Sequence, residues 1–263
     1  MMAIANLQYA WTLFTVPLTK SLNASLSVVQ VAFTLFILTE TWLVPVEGYL
    51  IDRFGARLIA SLGGILVGLS WVGCGFVDSL TGLYGWYAVG GVGAGAVYGA
   101  SMGMALKWYP DRRGLAAGAT AGAYGFGTAI TVLPIQWMID AAGHSSAFIT
   151  WGVIQGVLVV VAAQVMKAPP SGWKPQGWEQ RTARSRVGQS AASFTPMQMV
   201  RTGTFWLLYL MMTLVASGGL MVTAQLKPIA AVYGLDKKVI WLGISALGLA
   251  LVLDRILNGL ARP

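Results

Sequence analysis

Eight apolar runs, each close to the thickness of a lipid bilayer, follow one another along this chain at 1–19, 28–50, 58–77, 82–106, 114–139, 147–166, 204–226 and 239–262. About 20 apolar residues in helical form cross the hydrocarbon core. A backbone in lipid must satisfy its own N–H and C=O groups, which a helix does. Only 10% of the 263 residues are charged, while 56% are hydrophobic. A water-soluble domain carries about 25% charged residues, so this chain lacks the charge to cover a globular surface. The expectation is an all-α polytopic membrane protein. The first run has no basic lead and no small-residue cleavage site, so it reads as a span and not as a signal peptide. Its helix is expected to begin upstream of Met1.

Eleven of the 17 Lys and Arg residues sit in the even-numbered connections, among them Arg53, Arg57, Lys107, Arg112, Arg113 and Lys167. The odd-numbered connections hold Lys20, Lys237 and Lys238. Short loops rich in Lys and Arg stay on the cytoplasmic side. This places the even connections and the N-terminus in the cytoplasm, with the chain in a plasma (inner) membrane. The net charge of +8 then sets topology, and nucleic acid is not an expected partner. The one cysteine, Cys74, lies inside an apolar run, so no intramolecular disulfide forms.

The sixth connection is the only long one and is rich in Pro, Gly, Ser and Arg. It reads as a flexible, basic cytoplasmic linker. The expected organisation is a six-helix bundle over 1–166, a linker over 167–203 and the start of a second bundle over 204–263. Two bundles joined in this way are the layout of many secondary transporters. The second bundle has only two spans, and Pro263 falls inside the eighth, so the chain reads as a fragment. Gly91, Gly95, Gly99 and Gly103 recur every four residues, as do Gly114, Gly118 and Gly122. Small residues at this spacing let helix backbones touch in lipid, and no chemistry is assigned to them.

Polar side chains within spans are the functional candidates. In the eighth run Arg255, Asn258, Gly259 and Arg262 share one helical face. Guanidinium groups in that setting suit a carboxylate, which accepts paired hydrogen bonds from Arg. Asp254 points away from that face and can partly neutralise Arg255. Gln8, Tyr9 and Trp11 cluster in the first run, Gln30 opens the second, and Tyr98 lies within the fourth. Taken singly, each is equally explained as a hydrogen-bond partner for a neighbour. Glu40, midway along the second run, is either a proton-coupling carboxyl or a neutral, hydrogen-bonded one. Glu47 is expected to pair with an arginine of the loop that follows it. In that loop Asp52, Arg53 and Arg57 crowd between two spans and must lie at a membrane face, where they can latch neighbouring helices. No cluster has metal-ligand spacing and no nucleophile stands by a base, so neither an enzyme, a metal nor a cofactor is expected.

The loop Gly48-Tyr-Leu-Ile-Asp-Arg-Phe-Gly-Ala-Arg57 resembles the connection between the second and third helices of the major facilitator superfamily. More specific stretches are Gln8–Phe14, Val29–Leu35, Val97–Gly99, Trp108–Ala116 with Ala123–Gly127, and Asn258–Pro263. In these the chain resembles the oxalate:formate antiporter family, whose members exchange small carboxylates. The resemblance implies that Arg262 matches the eighth-helix arginine that holds the substrate carboxylate. It also implies that Gln8, Tyr9, Gln30 and Tyr98 match pocket residues of the first bundle. A partner lysine on the eleventh helix would lie beyond Pro263. Glu40, Asp254 and Arg255 depart from the family pattern and leave room for a monocarboxylate or for proton coupling. The expected function is alternating-access transport of small organic anions by a monomer in the lipid bilayer, with Glu40, Asp52, Arg53, Arg57 and Arg255 as coupling or gating residues. The alternatives are a proton-coupled monocarboxylate transporter and a non-transporting membrane module.

Overall fold

The computed structural model describes residues 1–170, 172–175 and 195–234. The eighth expected span, with Asp254, Arg255, Asn258, Gly259 and Arg262, lies outside these residues, as does most of the linker. Among the described residues the regular structure is helical.

The first span is broken: a 3-10 turn, Met2–Ile4, leads into α1 (Asn6–Tyr9) and α2 (Trp11–Ser21). A tight turn with Asn23 in the left-handed region (φ 47°) leads to the second span. That span is α3 (Leu26–Trp42) and α4 (Val44–Phe54), bent by 49° at Leu43. A single straight helix was the expectation over 28–50, and Pro45 explains the difference. It has no N–H for the Thr41 carbonyl, and its ring crowds that carbonyl, so the helix kinks there.

Gly55 (φ 87°) turns the chain into α5 (Ala56–Gly75). Then α6 (Leu80–Trp108) begins at Ser79, whose hydroxyl accepts from the Gly82 N–H at 3.2 Å and so satisfies an otherwise orphaned donor.

The next helical segment, α7, runs from Arg113 to Gln164. Straight, it would reach about 78 Å at about 1.5 Å per residue, more than twice the ~30 Å hydrocarbon core. Gly143, at φ 84° and ψ 166°, breaks it into two arms, 113–142 and 144–164. The Trp108 indole donates to the Lys167 carbonyl at 2.8 Å, so the two ends of the segment meet at one face of the bundle. The arms are therefore the fifth and sixth spans folded back on each other, with half-buried His144 at the turn. A short α8 (Pro196–Val200), opened by a Thr195/Gln198 capping box, precedes α9 (Gly203–Val232). This last helix packs on α1 and α2, with Leu220 against the core.

Glycine sets how closely these helices approach. On α5, a Cβ at Gly68 would lie 3.1 Å from the Cα of Gly156 on the second arm of α7, and one at Gly63 would lie 2.7 Å from the Gly93 carbonyl of α6. The backbones of α6, α5 and the second arm thus touch in sequence. The core between them and the first span is aromatic. Phe14 stacks on Phe148 at 3.9 Å, Trp71 meets both edge-on, and Tyr87 lies 4.4 Å from Trp11.

Candidate functional site

Four helices contribute polar side chains to one cluster halfway along the second span. Glu40 is equidistant in sequence from Leu26 and Phe54, the ends of that bent span. From α6, Gly91 presses on the Phe36 carbonyl and Thr39 of α3, and Thr39 donates to the Ala88 carbonyl at 2.9 Å. This bare glycine face draws α6 against α3 and sets Tyr98 beside the cluster.

Tyr124, on the first arm of α7, is the hub and is 5% exposed. Its ring meets Tyr9 of α1 edge-on at 5.4 Å and Tyr98 of α6 edge-on at 5.8 Å. Its hydroxyl lies 3.0 Å from Gln8 Oε1 and 3.3 Å from Glu40 Oε1. The hydroxyl carries one proton, so two acceptors face a single donor. Just beyond, Thr131 donates to Asn6 Oδ1 at 2.6 Å, and Gly127 lies on the backbone of Met2. These contacts dock the first arm of α7 on the first span and fix where Gln8 and Tyr9 project.

The structure therefore brings Gln8, Tyr9, Glu40 and Tyr98 together, and does not bring Gln30 with them. Gln30 lies ten residues before Glu40 on α3, roughly 15 Å along the helix. There it accepts from the Trp11 indole at 2.7 Å. Sequence reasoning missed the hub itself: Tyr124 was read only as part of the stretch Ala123–Gly127. A tyrosine set among glycines inside a span was the available signal, as were the polar Asn6 and Thr131.

The loop-end charges latch helices within the first bundle. Asp52 of α4 pairs with Lys107 of α6 at 3.4 Å, with both side chains well exposed. Arg57 of α5 forks onto Gln164 Oε1 of α7 at 3.1 and 2.8 Å. Arg53 stays on its own helix, donating to the Tyr49 hydroxyl at 3.1 Å and lying over the Phe54 ring. The expectation for Glu47 fails. It pairs with no arginine of the loop, because α4 turns it inward against Gly95, and among the described residues both of its oxygens lack a hydrogen-bond partner.

At the same face, a cleft of about 690 Å³ opens between α6 and the two arms of α7, lined by Ser101, Met104, Trp108, Thr120, Ala123 and Met166 among others. Ala123 puts its inner wall next to Tyr124. Chemically, the cluster offers hydroxyl, amide and carboxyl groups around aromatic faces. Among the described residues its hydrogen-bonding members include no Lys or Arg. Positive charge for an anion would have to come from elsewhere in the chain.

The sequence model of the Major Facilitator Superfamily matches residues 1–261. The oxalate:formate antiporter of Oxalobacter formigenes is 35% identical over 263 residues, which is all of this chain and 59% of the antiporter. An uncharacterised MFS-type transporter of Escherichia coli K12, YhjX, is 28% identical over 225 residues, 84% of this chain and 53% of its own length. Human monocarboxylate transporter 14 is 26% identical over 150 residues, 57% of this chain and 29% of the transporter. The chain thus spans less than two thirds of the length of each of these relatives.

Proposed function

The chain belongs to the major facilitator superfamily, and from that premise we propose that it is a secondary transporter that exchanges small carboxylates of the oxalate and formate type by alternating access. The observation that carries this reading is the Tyr124 cluster. Polar groups from four spans converge at mid-depth, where a transported ligand is bound in such folds. In this reading Tyr9, Tyr98, Gln8 and Tyr124 shape the first-bundle wall of the site, and Gln30 belongs to its outer approach. Arg262 neutralises the carboxylate and Arg255 tunes it from the same helical face. Asp52, Arg53 and Arg57 act on the inner side, with the N-terminus and the even connections in the cytoplasm of an inner-membrane protein. The six-helix bundle 1–166 and the segment 204–263 are the two rocking parts, joined by 167–203. The protein works as a monomer.

A ligand that binds only the folded state raises the melting temperature. The full-length protein in detergent micelles should be stabilised by oxalate and formate and not by sulfate. Equal stabilisation by sulfate, or none by any carboxylate, would contradict the reading.

One observation favours a second reading, a proton-coupled monocarboxylate transporter. When Glu40 is protonated, its O–H donates to Tyr124 and the Tyr124 hydroxyl donates to Gln8, so every acceptor is served. When Glu40 is ionised, it competes with Gln8 for one proton. A pH gradient alone driving lactate uptake would favour this reading over exchange.

A further inference from the structure

Glu47 lies one turn beyond the bend at Leu43, on α4, and is 5% exposed. Among the described residues neither of its carboxyl oxygens has a hydrogen-bond partner. Both press on the bare backbone of α6: a Cβ at Gly95 would stand 2.7 Å from Oε2 and 2.8 Å from Oε1. Glycine at 95 is what lets this acid enter the interface.

Among the described residues, no cation of the neighbouring helices is bonded to it. On α6, Lys107 pairs with Asp52 and Tyr98 packs on Tyr124. On α5, Arg57 is held by Gln164; on α4 itself, Arg53 is held by Tyr49. On α3 the nearby ionisable group is Glu40. Its backbone carbonyl faces the same Gly95. An ionised carboxylate buried without a counter-charge is far costlier than the neutral acid in the same apolar slot.

We propose that Glu47 is a proton-binding site that controls the docking of α4 on α6. Protonated, it fits against Gly95 and the two helices stay together. When the proton passes to water, the carboxylate leaves the slot. The inner half of the span then swings about Leu43, where Pro45 has already broken the helix, and draws Asp52 away from Lys107. This site is separate from the Tyr124 cluster and would make the inner end of the first bundle respond to pH whatever the ligand. The inference draws on the alternating-access reading only for the use of the motion.

The test needs no substrate. Ile51 lies one turn further along the same interface, its Cδ1 3.3 Å from where a Cβ at Gly99 would stand. The full-length protein carrying Cys74→Ala and Ile51→Cys is labelled with bimane, whose emission reports burial. It is then titrated in proteoliposomes from about pH 5 to about pH 9, a span that covers the upper carboxyl values seen across folded proteins. The docking equilibrium should weaken with rising pH by up to about tenfold per pH unit, the limit that linkage to one proton sets.

Glu47→Gln, neutral and nearly isosteric, should hold the buried emission at every pH, whereas Glu40→Gln should still respond to pH, with its midpoint free to move. Gly95→Ala, whose methyl would strike both oxygens, should give exposed emission even in acid. A parent without a pH response, or Glu47→Gln that retains it, would overturn the proposal. So would loss of the response in Glu40→Gln alone. Because these emissions are read without ligand, failure of carboxylate exchange would leave the result standing.

Discussion

The hydroxyl of Tyr124 stands 3.3 Å from the carboxyl of Glu40, so the fifth span and the midpoint of the second share one proton-bearing contact. Gln8 competes for the same hydroxyl at 3.0 Å. With one proton and two acceptors, the Tyr124 hydroxyl can turn its donor toward either one.

Tyr124→Phe keeps the ring contacts to Tyr9 and Tyr98 and removes only the hydroxyl. The loss of one shared buried bond is expected to cost about 1–3 kcal/mol of stability. Carboxylate uptake at saturating substrate should fall more steeply than the apparent affinity if the hydroxyl serves proton traffic, and the reverse if it binds ligand. Wild-type uptake kinetics with Tyr124→Phe would remove the residue from the site.

Glycine substitutions on α6 should change sign with position. At Gly93 a Cβ would meet the Gly63 carbonyl at 2.7 Å and the Val67 N–H group at 2.9 Å, and backbone cannot retreat. Gly93→Ala is expected to destabilise by about 1–3 kcal/mol through overpacking. At Gly103 nothing lies within 4 Å, so Gly103→Ala should gain about 0.5–1 kcal/mol from helix propensity. Melting temperatures of the two variants in one detergent decide it.

The loop-end latch should matter for motion more than for stability. Asp52 and Lys107 are 76% and 56% exposed, and exposed pairs contribute about 0–1 kcal/mol. Asp52→Asn should therefore melt close to wild type while changing the rate of exchange. Arg57→Lys should behave similarly, because a lysine cannot fork onto Gln164 as a guanidinium does. A large drop in melting temperature with unchanged exchange would contradict the latch.

The fold was legible where hydrophobicity alone decides it. The apolar runs located the helices of the first bundle and the start of the second, and the stripe Gly91–Gly95 marked the face of α6 that meets α3. What the runs could not show was the bend at Leu43, because a Pro45 kink leaves hydrophobicity unchanged. The glycines of α5 and of the second arm of α7 also escaped notice, because Gly64 and Gly68, like Gly152 and Gly156, form only single four-residue steps and not a longer stripe.

Four of the candidate residues, Gln8, Tyr9, Glu40 and Tyr98, converge as one cluster. Their hub Tyr124 was missed, because only the folded first arm of α7 brings it to them. Glu47 was misread because proximity in sequence to Arg53 says nothing about the direction in which α4 turns it.

Arg262→Gln probes the second bundle's contribution. It should abolish stabilisation by oxalate in the full-length protein while leaving its melting temperature without ligand unchanged. Oxalate stabilisation equal to wild type would rule out Arg262 as the group that neutralises the carboxylate.

The most direct measurement is uptake of labelled oxalate into proteoliposomes of the full-length protein, preloaded either with formate or with buffer alone. Carboxylate exchange predicts rapid uptake into the preloaded vesicles and almost none into the empty ones. Equal uptake in both, or none in either with correctly folded protein, would contradict it.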